Sequence, residues 1–106
     1  MPIKIFNSIG NNHSISISII NDTDCYYDLL KYNPDDYKCF VLLIKEVIEY
    51  LQKNKIKYIY YSIPKNLYSD SFITIENNET EYEIIIKTTL NEFVNQVIQI
   101  HNIQQL

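Results

Sequence analysis

The chain contains no alanine, no arginine and no tryptophan, and its 106 residues include a single glycine, Gly10. Each shortage excludes something. Phosphate-cradling loops of the Walker and Rossmann types need several glycines, because the backbone must approach the phosphate closely. Arginine is the residue that forks onto phosphate and guanine and stacks on bases. Its absence, with a formal charge of −4 and a pI near 5.0, disfavours nucleic acid as a partner, since that affinity rests on neutralising phosphates. The two cysteines, Cys25 and Cys39, lie outside any C-x-x-C spacing and read as reduced thiols, not as a disulfide or a metal pair. The longest apolar run, Phe40–Ile44, falls far short of the ~18 residues that cross a bilayer. The opening MPIKIFNSIGNN lacks the apolar stretch of a secretory signal. These shortages lead to the expectation of a cytoplasmic protein with no membrane partner. The sequons at Asn12, Asn21 and Asn78 are then by-products of abundant asparagine.

Isoleucine, asparagine, lysine and tyrosine take the place of the missing types. That bias fits codon pressure in an AT-rich genome such as a virus, another mobile element or an AT-rich bacterium; for a virus the compartment becomes the host-cell cytoplasm. The length suits one domain spanning residues 1–106. A hydrophobic fraction of 46% beside 21% charged residues is that of a globular chain with a core, not a disordered one.

Periodicity assigns the elements. Ile3–Phe6 reads as a short strand, followed by a turn that holds the glycine. Ser14–Ile19 alternates Ser and Ile with period 2, which predicts a strand with isoleucines on a core and serines on an open face. Residues 22–32 admit a short helix capped by Asp22, with Cys25, Tyr26, Leu29 and Leu30 on one stripe. Asn33-Pro34-Asp35-Asp36 is a helix start: a capping side chain, proline at the first helical position, and acids at the positive end of the dipole. That helix runs to about Asn54, with Phe40, Ile44, Val47 and Leu51 as its core stripe. Three strands follow, Ile56–Ile63, Ser71–Glu76 and Glu81–Thr88, the last two joined as a hairpin through Asn77–Thr80. Thr89-x-x-Glu92 matches a capping box and opens a final helix. The expected fold is α+β: a two-layer sandwich of one five-stranded, mostly antiparallel sheet, in chain order β-β-α-β-β-β-α, with two long helices on one face.

Chemistry-bearing patterns are sparse. Asp22, Asp24 and Asp28 lack the glycine and glutamate that a calcium loop needs at its sixth and twelfth positions, which hold Tyr27 and Asn33. The passage from helix to strand across Glu46–Ile63 is superficially similar to that of acyl-CoA-dependent acetyltransferases, but their glycine-bearing Q/R-x-x-G-x-G/A signature is absent and no family is assigned. No cofactor, metal or small-molecule ligand is implied. An enzyme would have to use His13 or His101 with a nearby cysteine or carboxylate. A nucleic-acid role would need a lysine cluster such as Lys53, Lys55, Lys57 and Lys65.

What remains is the open face of the sheet. Taking the more aliphatic side of each strand as the core puts Ile59, Tyr61 and Ile63 inward, with Phe6, Tyr58, Tyr60, Phe72 and Ile85 outward among serines such as Ser16, with Lys4, Thr74 and Glu83 around them. Such a patch marks an interface, and tyrosine favours interfaces because it buries much area with few torsions to freeze. The sequence therefore leads to the expectation of a small, acidic, non-catalytic protein-interaction module. It would be a homodimeric scaffold, or a stoichiometric inhibitor or adaptor, that meets its protein partner through that face. The alternatives are the minimal histidine enzyme and nucleic-acid stacking on the aromatic face.

Overall fold

The computed structural model describes residues 2–101 and 103. Its elements are β1 (Ile3–Asn7), β2 (Ser14–Ile19), β3 (Asp24–Lys31), α1 (Tyr37–Lys53), β4 (Tyr58–Pro64), β5 (Glu76–Glu79), β6 (Glu83–Thr89) and α2 (Leu90–Ile100). The strands form one sheet in the order β1-β2-β3-β4-β6-β5. Every neighbouring pair is antiparallel except β3 and β4, which are parallel. A parallel pair requires a crossover, and α1 supplies it.

The α+β class and the two helices agree with the sequence reading, but the sheet has six strands instead of five. The added strand is β3, where a short helix seemed possible. Cys25 and Tyr27 are buried on one side of it, while Asp28 and Leu30 are exposed. Period 2 thus prevails over the helical spacing of Cys25, Tyr26, Leu29 and Leu30. The strand expected over Ser71–Glu76 is displaced to Glu76–Glu79, and residues 71–75 are irregular. Side chains anchor that segment, with one backbone bond from the Ile75 N–H to the Lys87 carbonyl: Thr88 Oγ1 (2.9 Å) and Gln96 Nε2 (3.0 Å) both donate to the Ile73 carbonyl.

Both helix starts form as their sequences require. The Asn33 side chain accepts from the Asp35 N–H, a single turn of 3-10 helix over Pro34–Asp36 leads into α1, and the Thr89 side chain accepts from the Glu92 N–H. Both helices cover the same face. Phe40, Leu43, Ile44, Val47 and Leu51 of α1 and Phe93 and Val97 of α2 pack with Ile15, Ile17, Ile59 and Ile86 of the sheet into one core. The Phe40 ring lies 4.6 Å from that of His101 at the end of α2. No helix of the described residues is long and apolar enough to cross a membrane.

Two members of the expected outer patch belong to the core. Phe6 is 4% exposed and meets Tyr50 of α1 edge-on at 5.2 Å. The register of the first hairpin decides this: Phe6 lies opposite Ile15, and Lys4 opposite Ile17, so both face the helices. Ile3 and Ile5, opposite Ser18 and Ser16, take the open face and are 63% and 48% exposed. A one-residue change of phase reverses every side chain of a strand, and counting aliphatics in a four-residue strand chose the wrong phase. Phe72, on the irregular segment, is also buried, 5.8 Å from the Tyr68 ring. Replacing Phe6 with alanine is expected to cost about 3 kcal/mol of folding stability. Urea denaturation checks this; a loss within the error of the method would return Phe6 to the surface.

A cleft where the parallel strands part

The ladder between β3 and β4 is short. Asp24, Cys25 and Tyr26 pair with Tyr58, Ile59 and Tyr60, and there the pairing ends. Both strands continue, held on their outer sides by β2 and by β6, so they part. A cleft of about 270 Å³ occupies the wedge. It lies beyond the carboxyl ends of the paired segments, which is where open α/β sheets place their ligands.

The cleft has two halves. Toward the helices it is walled by Tyr27, Leu29, Tyr61 and Ile63 of the strands and by Phe93, Val97 and Ile100 of α2. Toward the open face its margin carries Asp28, Ser62 and Glu83, of which both acids are solvent-exposed. The floor is a packed aromatic group, with Phe93 4.9 Å from Tyr27 and 5.5 Å from Tyr61.

The two wall tyrosines differ in one respect. The Tyr61 hydroxyl donates to Gln96 Oε1. The Tyr27 hydroxyl is buried and has no hydrogen-bond partner among the described residues. Burial, reinforced by Asp28 and Tyr61, raises the Tyr27 pKa above its ordinary value, so the group keeps its proton. An unmatched buried hydroxyl costs about 1–3 kcal/mol, and native structures keep few of them.

Neither histidine is placed to act as a base on a cysteine. His13 is fully buried, and its Nδ1 accepts from the Asn33 N–H at 3.3 Å. That leaves its Nε2 to donate to the Asp36 carbonyl at 2.8 Å, so the ring pins the start of β2 to the start of α1. His101 borders the cleft, with Tyr32 at 4.8 Å and Phe40 at 4.6 Å. Burial, aided by His13, lowers its pKa from 6.5 to about 4. Burial, with Asp24, pushes the Cys25 thiol up to about 12. The hydrogen bond to Asp36 also raises Cys39, the opposite of what a nucleophilic thiolate requires. Among the described residues no group of three or more His, Cys, Asp or Glu side chains is placed to hold a metal.

On the open face Tyr58 and Tyr60 point outward and are half-buried. What covers them is Lys87 of β6. Its ammonium lies 5.1 Å from the Tyr58 ring and 5.3 Å from the Tyr60 ring, and 3.9 Å from the Asp24 carboxylate. Ser16 and Ile85 share this face, opposite Asp28 and Ser62 respectively, each half-buried. Tyr58, Tyr60, Ile85 and Ser16 thus share the open face, with Ser16 and Ile85 on opposite sides of the wedge, whereas Phe6 and Phe72 are buried. The sequence reading missed Tyr27, Gln96 and Lys87. Only the alternation of Cys25, Tyr27 and Leu29 could have signalled the first.

No family model matches the chain, and no curated protein matches it. Among solved structures the chain is similar to the crystal structure of a probable acetyltransferase from Staphylococcus epidermidis ATCC 12228, at 15% identity and a TM-score of 0.53. The match covers 74% of this chain and 60% of that one, so the chain spans about three fifths of that protein's length. At this identity the likeness concerns the fold alone.

Protonation of His101 should be visible in stability. Its pKa is depressed in the folded state, so the unfolded chain takes the proton first and stability falls as the pH drops from 6.5 toward 4. For a half-buried ring the loss is on the order of 1 kcal/mol. Urea unfolding at pH 7 and pH 5 should show His101→Gln losing less stability than wild type over that interval; equal losses would remove His101 as the cause.

Proposed function

We propose that the protein is a non-catalytic binding module whose β3–β4 cleft takes a slender acyl group on an uncharged or basic carrier, an acylated amine being the class that fits. The observation that carries this is the buried, unpartnered hydroxyl of Tyr27, a residue that lines the apolar half of the cleft. Such a donor is matched by one acceptor, and an acyl carbonyl is an acceptor on an apolar stem. The acidic margin formed by Asp28 and Glu83 repels a phosphorylated carrier and suits a basic one. The similar structure is named a probable acetyltransferase, which agrees with an acyl group as the guest. The raised thiols, and the hydrogen bonds and ring contacts that occupy the two histidines, support binding without turnover.

A second reading is favoured by one feature of the open face. Ile3, Ile5 and Leu30 are exposed there, beside half-buried Tyr26, Tyr58, Tyr60 and Ile85, and the acidic margin of the cleft opens on the same side. A protein partner seated on that face would make the module an adaptor or inhibitor.

Tyr27→Phe separates binding from folding. Removal of the unmatched hydroxyl should raise the stability of the free protein by about 1 kcal/mol and weaken binding of Nε-acetyl-lysine amide about fivefold. Calorimetric unfolding and an amide-resolved NMR titration, with plain lysine amide as the control, measure the two effects. A destabilised variant, or equal shifts from acetylated and plain lysine, would overturn the cleft reading.

A further inference from the structure

The sheet has two edges, β1 and β5, and they differ in how they treat a second copy of the chain. A sheet edge is a row of unpaired backbone groups that invites another strand unless charge, proline or a cover prevents it. β5 is Glu76-Asn77-Asn78-Glu79. If it paired antiparallel with its own copy about its centre, Glu76 would lie opposite Glu79 in both directions, and like charges directly opposite destabilise a pair. That edge guards itself.

β1, Ile3-Lys4-Ile5-Phe6-Asn7, is guarded only by Lys4, whose ammonium is held against the rings of Phe6 and Tyr50. It carries one charge, no proline, and side chains exposed at every position but Phe6. Its backbone is also arranged for pairing. The Ile19 N–H donates to the Pro2 carbonyl and the Ser8 N–H to the His13 carbonyl. By the alternation of an antiparallel ladder the even residues of β1 therefore bond to β2, and Ile3, Ile5 and Asn7 direct their N–H and C=O groups outward.

We infer that β1 is a self-association edge, pairing antiparallel with β1 of a second copy about a two-fold axis at Ile5. This centre uses all five residues. Ile5 meets Ile5 and Ile3 meets Asn7, each as a hydrogen-bonded pair, so every outward backbone group is used. Lys4 meets Phe6 of the other copy on the helix-covered side, where Lys4 already lies 5.1 Å from its own Phe6 ring and 4.8 Å from Tyr50. A register centred on Lys4 would instead put Lys4 against Lys4. The interface is isologous and closes as a dimer with one continuous sheet of twelve strands. It differs from the cleft and from the open face, and a failure here leaves the cleft proposal untouched.

The two-fold register is tested by cross-linking in a Cys39→Ser background. Residues at a hydrogen-bonded antiparallel pair have Cα atoms about 5.5 Å apart, within disulfide reach. Ile5→Cys should form a disulfide dimer under mild oxidation, whereas Ile3→Cys, which faces Asn7, should form far less. Sedimentation should show a concentration-dependent dimer whose dissociation constant rises about tenfold in Ile5→Lys and does not change in Glu76→Lys. Circular dichroism keeps the test readable by showing that Ile5→Lys is folded. A monomer at all concentrations, equal cross-linking at both positions, or a dimer lost in Glu76→Lys would overturn the inference.

Discussion

The parallel contact between β3 and β4 is the constraint on which the rest of the molecule depends. It is three residues long on each strand, and it joins two antiparallel units that otherwise share no ladder, β1-β2-β3 on one side and β4-β6-β5 on the other. The loop before β3 strengthens the join: the Thr23 carbonyl accepts from the N–H groups of both Lys57 and Tyr58, at 2.8 and 3.1 Å. Because the contact is parallel, α1 must cross over, and its core stripe covers the helix side. Because the contact is short, the strands separate beyond it, and the separation is the cleft. Architecture and candidate site thus have one cause.

The wedge is held open from behind. Gln96 of α2 accepts from Tyr61 and donates to the Ile73 carbonyl, which Thr88 also meets. One buried polar side chain therefore links a cleft wall, the helix beneath it and the irregular segment that packs Phe72 into the core. Such a network is stabilising when every member is matched. Here each of these groups has a partner, which makes the unmatched hydroxyl of Tyr27 stand apart.

Much of the scaffold was legible in the residues. The Ser-Ile alternation over Ser14–Ile19, the Asn33-Pro34 start of the long helix and the Thr89–Glu92 cap each state a local preference strong enough to survive packing. Three features were not legible, for different reasons. The phase of β1 is set by its pairing with β2, so Phe6 could not be placed by counting aliphatics. β3 carries apolar residues at both helical and strand spacing, and only the sheet that receives it chooses between them. β5 is Glu-Asn-Asn-Glu, with no hydrophobic signal at all; it is a strand because β6 is beside it. The cleft is the extreme case. It exists where a pairing stops, and no single segment records where its ladder with another will end.

The separation of the strands can be read amide by amide. The bonds from Ile20 N–H to the Asp24 carbonyl, from Lys65 N–H to Tyr82 and from Leu90 N–H to Lys57 set the alternation on both strands. It turns the N–H groups of Leu29 and Ser62 toward the wedge, while those of Cys25 and Tyr60 lie within the parallel contact. Hydrogen exchange followed by NMR on the ligand-free protein should therefore find Leu29 and Ser62 exchanging far faster than Cys25 and Tyr60 on the same two strands. Equal, strong protection of all four amides would mean that the strands are joined along their length, and that there is no cleft for Tyr27 to serve.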